Sequence, residues 1–181
     1  GFPCGMPREQ TIKPLKEWIK INYDIPGCPP QPKLIKETFQ MLLSGKPVTL
    51  SEKTLCDECD LKREEKKITR ILRWGEGEPD SSRCLLEQGY FCAGPATRAG
   101  CEAKCPSALV PCRGCMGPPE NVTDQGAKMA SAIASVAAID EKNKVDPEQL
   151  ATMIKDVIGS FYRFTLPSSI IPRKVSEGKS K

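Results

Sequence analysis

Eight cysteines stand between positions 56 and 115, in two successive groups of four, and none occurs among the last 66 residues. The first group is Cys56-x2-Cys59 with Cys84 and Cys92. The second, Cys101-x3-Cys105-x6-Cys112-x2-Cys115, puts four thiols into fifteen residues and ends in Pro111-Cys112-Arg113-Gly114-Cys115. From Glu76 to Pro119, Gly, Pro and Cys recur so often that only short turns and helical stubs fit. A stretch of this kind needs staples. Two groups of four thiolates match the ligand count of two iron–sulfur clusters, each held by four cysteines. Electron transfer is therefore the first reading, ahead of chemistry by the chain's own side chains.

The rest of the composition agrees with that need. A chain of 181 residues is one domain or a little more, and 39% apolar with 6% aromatic content is thin for a self-sufficient core. Seventeen prolines and fourteen glycines demand many turns. Metal binding at a site absent from the unfolded chain becomes folding energy, so clusters double as staples.

Histidine is absent, which removes Ser-His-Asp and Cys-His nucleophile pairs, histidine acid–base chemistry, H-E-x-x-H zinc sites and c-type haem attachment. Cysteine is left as the soft ligand, apart from five weakly binding methionines. The net charge is +4, with basic residues gathered at 62–73 and 173–181. No aromatics or nucleic-acid motif interleave with them, so a solvated helical face and a frayed terminus are expected, without nucleic-acid binding. No apolar run reaches membrane-spanning length and no secretory signal is visible. The expectation is a cytoplasmic protein. The start at Gly1 implies either removal of an initiator Met or a longer polypeptide.

Three readings of the ten cysteines compete. Disulfide scaffolds spread cysteines through a short secreted domain, unlike this pattern. Structural zinc is the stronger rival, since paired C-x2-C is a common Cys4 pattern, although the second pairs here are wider, x7 between Cys84 and Cys92 and x3 between Cys101 and Cys105. Proline follows Cys28 and Cys105, as in many ferredoxin-type ligand loops. Iron–sulfur ligation is preferred, and a zinc-stapled interaction module without redox function stays open. The Asn121-Val122-Thr123 sequon reads as a turn.

Along the chain, Cys4 and Cys28 stand alone beside glycine and proline. Residues 11–20 read as helix or loop. Ile21 to Ile25 reads as a short strand delivering Cys28 at its carboxyl end. An amphipathic helix over 32–44 has Leu34, Ile35, Thr38, Met41 and Leu42 on one face and stops at Gly45. Residues 62–74 fit either a helix or a short ribbon. An alanine-rich helix is expected over 124–139. A second helix, started by Asp146-Pro147-Glu148, is expected to bury Leu150, Met153, Ile154, Val157 and Ile158. The apolar stretch 161–172 must dock on this core or a partner.

These residues resemble the small, electron-transferring subunit of nickel–iron hydrogenases, above all the methyl-viologen-reducing group that supplies heterodisulfide reductase. The resemblance is carried by Ile25-Pro26-Gly27-Cys28-Pro29-Pro30, by Cys84-Leu85-Leu86-Glu87-Gln88-Gly89-Tyr90 and by Gly94-Pro95-Ala96-Thr97-Arg98-Ala99-Gly100-Cys101. It continues through Cys105-Pro106 and Pro111-Cys112-Arg113-Gly114-Cys115 to Asp124-Gln125-Gly126-Ala127-Lys128. Gly-Cys-Pro-Pro also occurs in the related subunit of respiratory complex I. A relay on a nickel-free or complex I-like large subunit is therefore the alternative.

The resemblance implies that Cys101, Cys105, Cys112 and Cys115 hold a medial 4Fe–4S cluster. It implies that Cys56, Cys59, Cys84 and Cys92 hold a distal one; the family often has histidine where Cys56 stands. Cys4 and Cys28 are then the last two ligands of a possible third, proximal cluster. The family supplies its other two ligands from an upstream Cys-x2-Cys, so residues outside this chain must complete it. The family's glycine-rich loop is here Cys4-Gly5-Met6-Pro7-Arg8. The implied fold is mostly α and irregular: the remnant of a flavodoxin-like α/β domain over 1–50, a loop-rich two-cluster segment over 51–119, packing helices over 120–172, and a disordered tail over 173–181. The implied partners are the nickel–iron hydrogenase large subunit, the missing N-terminal half, and a flavin or iron–sulfur acceptor such as a heterodisulfide reductase complex. No catalytic centre is expected on this chain. Arg98, Lys104 and Arg113, near the ligands, are candidates for raising cluster potentials.

Overall fold

Capping and proline placement decide where helices occur in this chain. The structure, a computed structural model, describes residues 12–64, 68–137 and 146–171. Helix α1 spans Pro32–Leu43, with Pro32 at its first position where the missing N–H is no loss. A four-residue turn of helix, α2, spans Lys104–Ser107. Helix α3 runs over Gln125–Val136, and its N-cap Asp124 accepts a hydrogen bond from Ala127 N at 2.7 Å. Helix α4, Pro147–Thr152, begins after Asp146, whose carboxylate accepts from Glu148 N at 2.9 Å. Helix α5 spans Val157–Phe161. Single 3-10 turns lie at Leu15–Glu17, Leu55–Asp57, Gly94–Ala96 and Leu166–Ser168.

The expected flavodoxin-like α/β remnant is overturned. Among the described residues there is no β-strand; extended segments meet only at single bridges. These are Thr54 with Arg98, Lys62 with Arg83, Ile68 with Ala137, and Leu72 with Tyr90. Ile21 to Ile25, read as a strand, is irregular. Pro26, Pro29 and Pro30 follow at once and offer no N–H to a ladder. Helix α1 has no sheet beneath it. Its inner face is only half buried apart from Thr38, 1% exposed, while Leu43 is 87% exposed. Of the segment read as helix or ribbon, the described residues 62–64 and 68–74 form no helix; Lys62 N donates to Ser82 O at 2.8 Å, Ile68 N to Val136 O at 2.8 Å and Leu72 N to Gly89 O at 2.7 Å.

The core lies between the loops of 84–116 and α3. Leu55, Leu85, Leu86, Tyr90, Ala93, Ala96, Ala103 and Met116 meet Met129, Ile133 and Val136, which share one stripe of α3. Gly126 lets α3 approach Tyr162: a Cβ there would run into the ring. The stretch after 160 docks on this same core, with Phe161 set edge-on to Phe91 at 5.0 Å. The single helix expected to carry Leu150 through Ile158 is instead two. Asp156 breaks it by accepting from Gly159 N at 2.8 Å, a competing bond that opens a new helix. Val157 and Ile158 consequently face solvent. The expected end of α3 at 138–139 and the tail over 173–181 lie outside the described residues.

Candidate metal centre

All nine described cysteines are free thiols. The turn Leu55–Asp57 presents Cys56, and a reciprocal cap sets it: Asp57 accepts from Thr54 N and Thr54 Oγ1, both at 2.9 Å. The turn Gly94–Ala96 packs over it. A Cβ on Gly94 would lie 3.2 Å from Cys56 Sγ and 3.7 Å from Cys92 Sγ, so a bare glycine leaves room between two sulfurs. Burial pushes the Cys56 thiol up to about 12, helped by Cys84, opposed by Arg63, and raised further by Cys59 and Cys112. Burial likewise raises Cys84, against the amides of Glu87 and Leu86. It raises Cys92 most of all, with Cys112 and Cys56 adding to it. Cys59, Cys84 and Cys92 thus all neighbour Cys56.

In the second group Cys101, Cys105 and Cys112 each feel the charge of Cys115. Burial lifts Cys112 to about 11; the Gly114 amide and Thr97 hydroxyl oppose this, while Cys115 and Cys101 reinforce it. Burial also raises Cys101 and Cys105, each with Cys115 beside it, and Arg113 counteracts in the case of Cys105. The loop carrying Cys101 is clamped from outside, since Glu58 accepts from Gly100 N at 2.8 Å and from Glu102 N at 3.0 Å. That clamp holds Glu102 and Ala103 at φ of 57° and 47°, a left-handed conformation that costs non-glycine residues about 1 kcal/mol or more.

The two groups touch. Cys112 N donates to Cys92 Sγ at 3.3 Å, and Ala93 N donates to Cys112 O at 2.9 Å. Gly114 N donates to Cys112 Sγ at 3.4 Å. Among the described residues, no three Cys, Asp or Glu side chains converge as they would on one metal ion. What the donor set offers is eight free thiols, with Cys92, Cys101 and Cys112 buried, Cys56, Cys59, Cys84 and Cys115 partly buried and Cys105 exposed, and with the amides of Cys112 and Gly114 aimed at sulfur. A thiol that burial holds protonated ionises when a multivalent cation takes the proton's place. The residues fit an iron–sulfur centre on that chemistry. Cys28 is exposed in the turn before α1, and its expected companion Cys4 lies outside the described residues.

The three cations singled out in the sequence have separate surroundings. Arg98 Nη2 donates to Pro118 O at 2.9 Å while its buried Nε has no partner. Lys104 Nζ donates to Gln31 Oε1 at 2.6 Å, tying the Cys101–Cys105 loop to the start of α1. Arg113 lines a cleft of about 320 Å³ with Arg73, Lys155, Arg163 and Trp74, and Cys112 forms part of its wall. Sequence reasoning missed Glu58, Thr97 and Gln125 as site residues. Glu58 is marked in the sequence only by its place between Cys56 and Cys59, and Thr97 and Gln125 only by standing within the stretches that carry the family resemblance.

The described residues form short helices and loops that bring free thiols together, with Cys92 and Cys112 buried where the two groups touch. No family model matches this chain. It is 45% identical over 175 residues to the G-subunit of the F420-non-reducing hydrogenase of Methanothermobacter thermautotrophicus, covering 94% of this chain and 57% of that protein. The protein of the same name from Methanothermus fervidus is 50% identical over 102 residues, 56% of this chain and 80% of that protein. The iron-sulfur G-subunit of the F420-non-reducing hydrogenase of Archaeoglobus profundus is 33% identical over 174 residues, 91% of this chain and 53% of that protein. The chain belongs to the G-subunit family of F420-non-reducing hydrogenases. It spans a little over half the length of most of the relatives it matches. Among the described residues no helix is long and apolar enough to cross a membrane.

Proposed function

We propose that this chain is the electron-relay part of a nickel–iron hydrogenase complex, carrying electrons between the metal site of a large subunit and a flavin or iron–sulfur acceptor of the heterodisulfide reductase type. The observation that carries this reading is the contact of two four-cysteine sets, through the hydrogen bond from Cys112 N to Cys92 Sγ, in a member of this family. The relatives' names, hydrogenase subunits and in one case an iron-sulfur subunit, support it.

In this reading Cys56, Cys59, Cys84 and Cys92 hold one 4Fe–4S cluster, and Cys101, Cys105, Cys112 and Cys115 hold the other. Exposed Cys28 joins Cys4 as a ligand to a third centre completed by residues outside this chain. Bound clusters supply reversible one-electron chemistry. The protein's own part is physical. It keeps Cys92 and Cys112 out of water, aims the amides of Cys112 and Gly114 at sulfur, and keeps the two sets adjacent. Hydrogen activation belongs to the large subunit, and this chain has no catalytic centre of its own.

Iron and sulfide analysis of anaerobically purified protein tests the reading. About eight irons with equal labile sulfide are expected from the two complete cysteine sets. Zinc in their place, or a colourless sulfide-free protein, would overturn it.

A further inference from the structure

A buried chain of polar side chains runs from α3 and the stretch after α5 to the sulfur of Cys112. Thr165 Oγ1 donates to Gln125 Oε1 at 3.2 Å. The Gln125 amide nitrogen then donates to Gly114 O at 3.1 Å and to Thr97 Oγ1 at 3.4 Å. Thr97 Oγ1 lies 3.6 Å from Cys112 Sγ. Gly114, whose carbonyl the amide holds, gives its own N–H to the same sulfur at 3.4 Å. Gln125 therefore braces both of these neighbours of the Cys112 sulfur.

Thr97 is 0% exposed and Gln125 4% exposed, and polar side chains this deeply buried are stable only with their hydrogen bonds made, which fixes the geometry around the Cys112 sulfur. Gly114 makes room for the amide: it sits at φ of 88°, and a Cβ there would come within 2.9 Å of Gln125 Nε2.

The hydroxyl of Thr97 has two directions open to it. With Cys112 as a thiol, the S–H donates to Thr97 Oγ1, and the hydroxyl donates to Ala93 O at 2.6 Å. A metal-bound thiolate has no proton and accepts only. The hydroxyl is then the group in place to donate to it. Ala93 O keeps the N–H of Ala96, at 3.1 Å, when the hydroxyl turns away.

We propose that Thr97 is a positioning residue of the redox centre: oriented by Gln125 and Thr165, its hydroxyl donates to the Cys112 thiolate and raises the reduction potential of the centre that Cys112 holds. The inference rests on the electron-relay reading. A donor at sulfur favours the reduced, more negative state of a cluster, which sets the sign.

The test is a redox titration of the anaerobically purified complex, followed by electron paramagnetic resonance and paired with iron analysis. In Thr97→Val the reduced-to-oxidised ratio at the wild-type midpoint falls about tenfold, the effect of one hydrogen bond to a charged group and equal to about 59 mV for one electron. Thr97→Ser restores the wild-type potential. Thr165→Val, which does not touch Cys112, gives a smaller shift of the same sign. The centre held by Cys56 and its companions keeps its potential in all three. A Thr97→Val protein with full iron and an unmoved potential overturns the proposal. Should Thr97→Val lose iron, Thr165→Val decides, and an unshifted potential there overturns it equally. Absence of iron from the wild-type complex is a different failure, that of the relay reading itself.

Discussion

Asp124 and Gly126 show how much of this molecule depends on single groups. Asp124 caps α3 through Ala127 N, and its other oxygen accepts from Ile170 N at 2.8 Å, pinning the chain beyond α5 to the helix start. Burial would raise its carboxyl, but the bonds from Ala127, Ile170, Tyr162 and Gly126 outweigh burial and hold it below its ordinary 3.8. A carboxyl lowered in the folded state stabilises above its unfolded value and loses that contribution as pH falls through the folded one. Asp124→Ala should therefore cost about 1–3 kcal/mol at neutral pH, and the gap to wild type should close in acid below the ordinary carboxyl range. Denaturant melts across pH measure this; a gap that persists in acid would refute the assignment. Gly126→Ala gains about 1 kcal/mol of helix propensity but drives a methyl into the Tyr162 ring, and overpacking of about 1–3 kcal/mol wins. A lowered midpoint in chemical denaturation is the expected result.

Among the helices and extended segments, those that local chemistry decides were legible beforehand. Asp146-Pro147 is a start signal that acts within one turn and opens α4; the helices over 32–44 and 124–139, legible from apolar spacing and alanine content, are opened in the same local way by Pro32 and Asp124. Periodicity misled where a side chain intervened. Val157 and Ile158 continue the apolar stripe of α4, yet Asp156 turns back on Gly159 N and divides the helix. Asp156→Ala should remove that cap at a cost of about 1 kcal/mol. The Gly159 amide should then exchange several-fold faster in hydrogen-exchange measurements. Unchanged exchange would mean that packing of Phe161 on Phe91, not the cap, sets α5. The strand read at 21–25 failed for a complementary reason: a strand is defined by its partner, and the prolines after it leave too few donors for one.

On the electron-relay reading, the thiols serve the folding of the chain as well as its redox role. Among the described residues the loops from 55 to 117 contribute much of the core yet have only single bridges and one short α-helix, so cluster binding would supply much of their folding energy. Removing iron with a chelator under oxidising conditions should abolish hydrogen-exchange protection first in that region, at Cys84 N, Tyr90 N and Ala93 N, while the α3 amides stay protected longer. Uniform loss across both regions would argue that the core folds without its metal.

Residue identity and order were enough to define the chemistry on offer: which side chains can bind soft metals, that histidine takes no part, and where α1, α3 and α4 start. Each of these depends on the kind of side chain present or on bonds spanning three or four positions. It took the folded molecule to establish that no sheet forms among the described residues, that the two thiol sets meet at Cys92 and Cys112, and that Gln125 is turned inward toward Gly114 and Thr97. Those outcomes join residues from 11 to 28 positions apart in the chain, and burial alone makes their hydrogen bonds obligatory.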